Sequence, residues 1–255
     1  MGEQKEFTIQ PITELEKFSF SCHEKVSCFN QCCHRIDVIL TPIDVLRMKN
    51  QLGIKSDEFM AKYVEFRKIK DTQIPLLKLK SQDPETGKCI FLGDKWCNIY
   101  DSRPVVCRNY PTGVAAQNPL SDEIEQPYFI VKEEMCQGHF EDKLWSLAKW
   151  KENQGSIGLE EKNSDWLNTI ARLKSLKLSD DQDQKMNIFV MVSYDLDTFR
   201  NFVFNSTFLT RFEVDEDTVE KIKTDDEELL KFGFIWLEFA LFAEGSLKPK
   251  REASS

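Results

Sequence analysis

The sequence predicts an α+β fold, mostly helical, in which an irregular cysteine-rich module precedes a helical C-terminal region. Three observations predict it. All eight cysteines, at positions 22, 28, 32, 33, 89, 97, 107 and 136, fall within residues 20–140. Apolar residues recur at helical spacing through most of the chain that follows. The charge divides at the same place, with a net −2 in residues 1–140 and −7 in residues 141–255. The expected domains are therefore 1–140, a cysteine-cluster module, and 141–255, an acidic helical region. No obvious linker separates them, so one core can serve both.

The elements follow in chain order. Thr41-Pro-Ile-Asp44 is a strong helix start, with Thr at the N-cap, Pro at the first position and Asp at the third. Val45, Leu46 and Leu52 then face inward, and Gly53 ends the helix. Ser56-Asp-Glu opens another, carrying Phe59, Tyr63 and Phe66. Ile74–Lys80 and Tyr128–Lys132 read as short strands. Ile90–Trp96 reads as a tight hairpin with a Gly-Asp turn. Glu141–Asn153 is expected to be helical, with Leu144, Trp145, Leu147 and Ala148 on one side and Gly155 as the stop. Ser164-Asp165 opens a stretch with Trp166, Leu167, Ile170, Leu173 and Leu176 at helical spacing. Met186–Tyr194 fits a buried strand or a helix start. Asp195–Phe212 carries Leu196, Phe199, Phe202 and Val203 along one stripe. Thr224-Asp-Asp-Glu227 reads as a capping box before Leu229–Ala243.

Composition excludes several classes. The chain has 255 residues, 41% hydrophobic and 30% charged, an ordinary globular balance. A net charge of −9 argues against general nucleic-acid binding, which needs a basic footprint. No run of about 20 apolar residues is present, so no membrane-spanning helix is expected. The N-terminus MGEQKEFTIQ lacks the order of a signal peptide, and Glu6 does not fit a myristoylation pattern. The expected location is the cytosol.

In a reducing cytosol eight cysteines are not expected to form structural disulfides. A metal site, redox thiols and buried apolar residues remain, and metal binding explains the clustering best. The spacing is Cys22-x5-Cys28-x3-Cys32-Cys33, then Cys89-x7-Cys97-x9-Cys107, with Cys136 later. There is no CxxC, which disfavours zinc knuckles and thioredoxin-type chemistry, and the ferredoxin run is missing. Adjacent side chains diverge, so Cys32 and Cys33 serve two metal ions, or one metal and the core, more naturally than one tetrahedral zinc. Eight thiols permit two closed four-sulfur sites, or one site with spare cysteines.

The surrounding text adds a resemblance. Phe20-Ser-Cys22…Cys28-Phe-Asn-Gln-Cys32-Cys33, Ile39-Leu-Thr-Pro-Ile-Asp44, Cys89-Ile-Phe-Leu92, Cys97-Asn-Ile-Tyr100-Asp-Ser-Arg103-Pro104, Cys107-Arg108-Asn-Tyr-Pro111 and Cys136-Gln-Gly138 resemble the YkgJ-type cysteine-cluster family. The resemblance runs from Phe20 to His139, and the Cys22–Cys28 interval is wider than is usual in the family. It implies a zinc- or iron-chelating domain, iron including a [4Fe–4S] cluster, with Cys22, Cys28, Cys32, Cys33, Cys89, Cys97, Cys107 and Cys136 as the metal ligands. It implies no established reaction. A related motif occurs in flagellin lysine methylases, but this chain shows no Gly-rich loop for S-adenosylmethionine. A metal- or cluster-dependent enzyme, redox or methyltransferase-related, and a zinc-stabilised interaction scaffold are the alternatives. The partner expected is a metal ion, with no nucleic acid and no membrane; no protein partner or catalytic residue is named.

Other candidates read as structural. His23, His34 and His139 stand next to or near cysteines and fit polar loop residues better than ligands. Arg103 and Arg108 flank Cys107 and could face an anion, but pairing of Arg103 with a carboxylate such as Asp101 or Asp44 is the preferred reading. The acidic runs Glu213–Asp217 and Asp225–Glu228 fit helix starts rather than calcium loops. Phe199, Phe202, Phe204, Phe208 and Phe212 fit core packing rather than a cofactor wall.

Overall fold

The computed structural model describes residues 7–34, 36–70, 72–114, 128–175 and 182–250. It is α+β and mostly helical, as the sequence predicts, with ten α-helices among the described residues. Contacts divide the chain into two units that alternate along the sequence. One comprises Met1–Val38 and Leu79–Glu161, the other Ile39–Lys78 and Lys162–Ser255. Among the described residues no helix is long and apolar enough to cross a membrane.

The first unit holds all eight cysteines. Its main sheet is antiparallel, ordered Phe7–Ile12, Tyr128–Glu133, Thr112–Val114, with Phe7 opposite Glu133 and Thr112 opposite Ile130. A second antiparallel pair sets Lys17–Ser19 against Leu144–Ser146, with Phe18 opposite Trp145. The core is Ile12, Phe18, Phe20, Ile130, Leu147 and Trp150. Phe20 lies edge-on to both Tyr110 and Trp150, the geometry in which a ring's positive edge meets a negative face.

The expected helix from Glu141 therefore starts later. Leu144–Ser146 is strand because it pairs with Lys17–Ser19, and the helix runs Leu147–Gln154. The Ser146 side chain accepts from the Lys149 N–H to cap it, and Gly155 ends it at φ 61°.

The second unit is a helical assembly around Met48, Phe59, Phe189, Val192, Phe199, Leu229 and Leu237, all fully buried. The capping box at Thr41 is present as predicted: Asp44 N–H donates to the Thr41 hydroxyl and Thr41 N–H to the Asp44 carboxylate. The helix Pro42–Leu52 ends at Gly53 with φ 65°. The helix Ser56–Tyr63 stops before Phe66, which lies on the strand Val64–Lys68 and is exposed. Leu40 pairs with Leu77 of the strand Pro75–Leu79, which also borders Val64–Lys68. Met186–Tyr194 belongs to the helix Gln182–Tyr194.

Three further expectations change. Ser164–Ser175 is helical and buries Trp166, Ile170 and Leu173, but Leu167 is exposed and Leu176 lies outside the described residues. Asp195 caps a helix that ends at Asn205; Phe208–Arg211 is a separate turn and Phe212 pairs in a short strand with Pro249. The cap of the last helix, Asp226–Phe242, is Asp225, whose carboxylate accepts from Glu227 and Glu228 N–H, because Thr224 still belongs to the preceding helix. Asp215 caps that preceding helix, so both acidic runs are helix starts. Phe199 and Phe208 are core residues, stacked and edge-on respectively against Trp236.

Candidate metal centre

Hydrogen bonds of the backbone bring the cysteine segments together. Beyond the Lys17–Ser19 strand, Phe20 N–H donates to Lys143 O at 2.9 Å and Ser21 N–H to Gly138 O at 3.0 Å. This lays Cys22 alongside the turn that follows Cys136. Gly138 permits the approach: a Cβ there would stand 2.8 Å from the Phe20 ring and 2.9 Å from Ser21 O. The preceding residue, Gln137, donates its N–H to the Cys28 sulfur at 3.1 Å.

Asn30 turns the chain with φ 65°, a conformation that Asn tolerates better than most residues, and its side chain donates to Lys95 O at 2.6 Å. The 3₁₀ turn Gln31–Cys33 follows, carrying the adjacent cysteines. Cys89 N–H donates to Cys33 O at 2.8 Å. The expected hairpin is a tight reversal with isolated bridges rather than strands. Gly93 N–H donates to Trp96 O at 2.9 Å, and Leu92 bridges Cys97. Tyr100 N–H donates to Cys97 O, and the short helix Val105–Asn109 then carries Cys107.

Six of the eight cysteines, 22, 32, 33, 89, 97 and 107, line one cavity of about 940 Å³. Cys28 and Cys136 adjoin it through the contacts just described. Trp96, Tyr100 and Trp145 form an aromatic part of the wall, and Arg103 and Lys143 bring positive charge to it. All eight are free thiols. Among the described residues no three or more His, Cys, Asp or Glu side chains already stand as a group able to hold a metal ion.

The electrostatics explain what the cluster lacks. Burial, then the neighbouring sulfurs of Cys32, Cys28 and Cys136, push the Cys22 thiol up to about 11. Cys33 is raised by its hydrogen bond to Cys32, by burial, and by the nearby Cys89 and Cys107. Burial raises Cys89 and Cys97; the sulfurs raise them further, and Arg103 pulls Cys97 back. Thiolates this close repel one another, so the protonated state wins until a cation arrives. A bound divalent metal inverts that balance and holds thiols deprotonated. The donor set, all sulfur, thus fits a thiophilic metal.

The histidines behave as structural residues. His23 Nε2 meets Glu141 Oε2 at 3.1 Å, His34 Nδ1 faces Asn30 O, and His139 Nε2 faces Val131 O while lying edge-on to Phe20. Arg103 is structural too, but it binds a carbonyl and an amide rather than a carboxylate. It donates to Tyr100 O at 2.7 Å and to Gln154 Oε1 at 2.8 Å, with its guanidinium 3.9 Å from the Tyr100 ring centre. Arg108 donates to Gln154 O and Asp101 O, clamping the loop between Cys97 and Cys107.

Tyr110 is the residue that spacing could not assign. Its hydroxyl donates to Glu133 at 3.0 Å and lies within hydrogen-bond reach of the Cys136 sulfur. Tyr110 stands in the Cys107-Arg-Asn-Tyr-Pro111 run, but only the fold shows that this run meets Cys136.

Residues 21–137 match a family model, CxxCxxCC, described as a "putative zinc- or iron-chelating domain", the family that the sequence resemblance indicated. No curated protein and no solved structure matches the chain.

Proposed function

We propose that this chain, which carries the CxxCxxCC domain over residues 21–137, is a metal-chelating protein that binds zinc or iron through cysteine thiolates. One observation carries the reading: six cysteines from two separate stretches of sequence line one cavity, and the sulfurs of the remaining two, Cys28 and Cys136, lie near that of Cys22. Buried inert cysteines would scatter through a core, yet Cys22, Cys32 and Cys107 are exposed and only Cys89 is buried. The ligands proposed are Cys22, Cys28, Cys32, Cys33, Cys89, Cys97, Cys107 and Cys136. When bound, the metal supplies the positive charge that the thiol cluster lacks, and its binding free energy adds to folding. A reducing compartment such as the cytosol suits the protein, because thiols persist there.

Metal and acid-labile sulfide analysis of protein purified without oxygen, with an absorption spectrum, tests the reading. Zinc without colour makes the centre structural, and iron with sulfide and a charge-transfer band makes it a cluster. Protein without either metal, and unable to take up either, overturns it.

A second reading, a metal- or cluster-dependent enzyme, is favoured by the cavity, whose volume falls in the range of about 300–1,000 Å³ typical of small-molecule sites. It requires an exchangeable non-protein ligand on the bound metal, which electron paramagnetic resonance of cobalt-loaded protein reads. Complete sulfur ligation removes this reading.

A further inference from the structure

We propose that Gln137 is a positioning residue for the metal centre: its main-chain N–H holds the Cys28 sulfur and offsets part of the charge which that sulfur carries as a metal-bound thiolate. The proposal rests on the metal-chelating reading and deepens it, naming a residue that acts through a ligand without being one.

The contact is direct. Gln137 N–H donates to Cys28 Sγ at 3.1 Å, although 109 positions separate the two residues in sequence. Gln137 opens the 3₁₀ turn Gln137–Phe140, and an amide at the first position of such a turn has no acceptor within it. The acceptor it meets is a sulfur.

The fold fixes this amide independently of any metal. Phe20 N–H donates to Lys143 O, Ser21 N–H donates to Gly138 O, and His23 Nε2 meets Glu141 Oε2 at 3.1 Å. These bonds lay the segment from Phe20 along the segment after Cys136, and the Gln137–Cys28 bond completes the series. Both partners also sit in hydrogen-bonded turns. Cys136 N–H donates to Glu133 O at 2.9 Å, and Gln31 N–H donates to Cys28 O at 2.9 Å. Gly138, the next residue, lies too close to Phe20 and Ser21 O to admit a Cβ, so the turn is pressed onto the loop that carries Cys22.

A thiolate on a metal keeps lone pairs and, with them, negative charge. Several thiolates around one dication leave the centre negative overall, and an N–H dipole aimed at a sulfur relieves part of that excess. Groups that hold a ligand from outside fix its orientation and commonly change metal affinity by about 10–100-fold. Hydrogen bonds to sulfur also tune iron–sulfur centres.

A sulfur that merely satisfied a spare amide would give the same contact, and proline separates the two roles. Proline has no N–H, so Gln137→Pro removes the donor and leaves no amide in need of a partner. The position suits it. Proline is favoured at the first residue of a helical turn. Cys136, before it, is extended at φ −83° and ψ 102°, as the residue before a proline prefers. The Gln137 side chain is exposed.

Titration of the full chain with Co²⁺ under anaerobic conditions, followed by its sulfur-to-cobalt charge-transfer band, tests the proposal. Gln137→Pro is expected to bind Co²⁺ about 10-fold more weakly, with the band moved to longer wavelength because the sulfur is more electron-rich. Gln137→Ala keeps the N–H and is expected to match the parent. A Gln137→Pro band in the parent's place overturns the proposal, as does a Gln137→Ala chain that behaves like Gln137→Pro. A parent chain that binds neither Co²⁺ nor any other thiophilic metal overturns the metal-chelating reading itself. Nuclear magnetic resonance of the unmutated chain loaded with ¹¹³Cd stands beside these, free of any folding defect in a variant. Scalar coupling from ¹¹³Cd is expected at the Cys28 β-protons and, through the N–H···S bond, at the Gln137 amide proton. Cadmium coupled to other cysteines but to neither of these, or to Cys28 without the Gln137 amide, overturns the proposal.

Discussion

Cys89 N–H donates to the carbonyl oxygen of Cys33 across 2.8 Å, so these two segments are held together by a bond in which neither sulfur takes part. The scaffold of the cluster is thus partly independent of its ligand chemistry. Removing a sulfur deletes a donor while leaving the backbone bonds that position its neighbours.

Cys32→Ser and Cys97→Ser are each expected to lower bound metal, because a hydroxyl is a poorer partner than a thiolate for soft and borderline metals. The metal-free variants should keep the far-ultraviolet circular dichroism of the metal-free parent, since Cys33 N–H still reaches Asn30 O and Asn98 N–H still reaches Phe91 O. Elemental analysis per folded chain checks it. Unchanged stoichiometry in both variants removes these residues from the ligand set.

Arg108→Lys is expected to destabilise the protein by about 1–3 kcal/mol, although charge is conserved. Arg108 is buried and donates from two nitrogens to two carbonyls, Gln154 O and Asp101 O. A lysine presents one ammonium and cannot reproduce the fork, so one carbonyl loses its partner. Urea unfolding of metal-free protein measures the change. A midpoint equal to that of the parent shows that the fork is dispensable.

Much of this was legible in the sequence where the causes are local. Thr41 and Asp44 cap a helix as their spacing demands, and Gly53 and Gly155 stop helices in the left-handed conformation that glycine adopts without strain. The cysteine inventory was equally plain. What spacing could not show is non-local. Leu144–Ser146 carries a helix-like apolar pattern yet becomes strand, because Lys17–Ser19 supplies its partners. Tyr110 gains its role only when the chain returns at Glu133 and Cys136. Even the cap of the final helix depended on where the preceding helix ended, at Thr224, leaving Asp225 to do the capping.

Asp226→Asn should flatten the acid limb of the stability curve. Lys49 is almost fully buried and contacts Asp226 at 3.2 Å and Asp197 at 3.4 Å, while Arg200 donates to Asp226 at 2.6 Å. For Asp226, burial favours the neutral acid, but the Arg200 hydrogen bond and the charges of Lys49 and Arg200 outweigh it and hold the pKa below its ordinary value. Asp197 is likewise lowered, against its burial, by the Ser56 hydroxyl and N–H and by Lys49. A depressed carboxylate contributes stability above its unfolded-state pKa of about 3.9 and loses it as pH falls through the folded value. The variant is therefore expected to be less stable near pH 7 by about 1–3 kcal/mol, reduced from a fully buried pair because part of Asp226 is in water. The two stability curves should converge below about pH 4. Urea unfolding across a pH series decides it; parallel curves would mean that Asp226 does not titrate with folding.

Gly233→Ala should destabilise the protein even though alanine is the better helix former by about 1 kcal/mol. Gly233 lies inside the helix Asp226–Phe242, facing the helices Gln182–Tyr194 and Leu196–Asn205. An added Cβ would stand 2.6 Å from Val192 Cγ1 and 3.0 Å from the Phe199 ring. Both neighbours are fully buried, so neither can swing into solvent, and overpacking of this kind costs about 1–3 kcal/mol. The two effects oppose each other, and contact below 3 Å with an enclosed branched side chain makes the steric one larger. The pairing can be tested by its coupling. Val192→Ala alone opens a cavity and destabilises, yet it also removes the methyl that the new Cβ would meet. Gly233→Ala should therefore cost less in a Val192→Ala background than in the parent, a favourable coupling in the double-mutant cycle. Thermal unfolding of the four proteins supplies the cycle, and strictly additive losses would show that the helices accommodate the methyl by moving apart rather than by yielding at Val192.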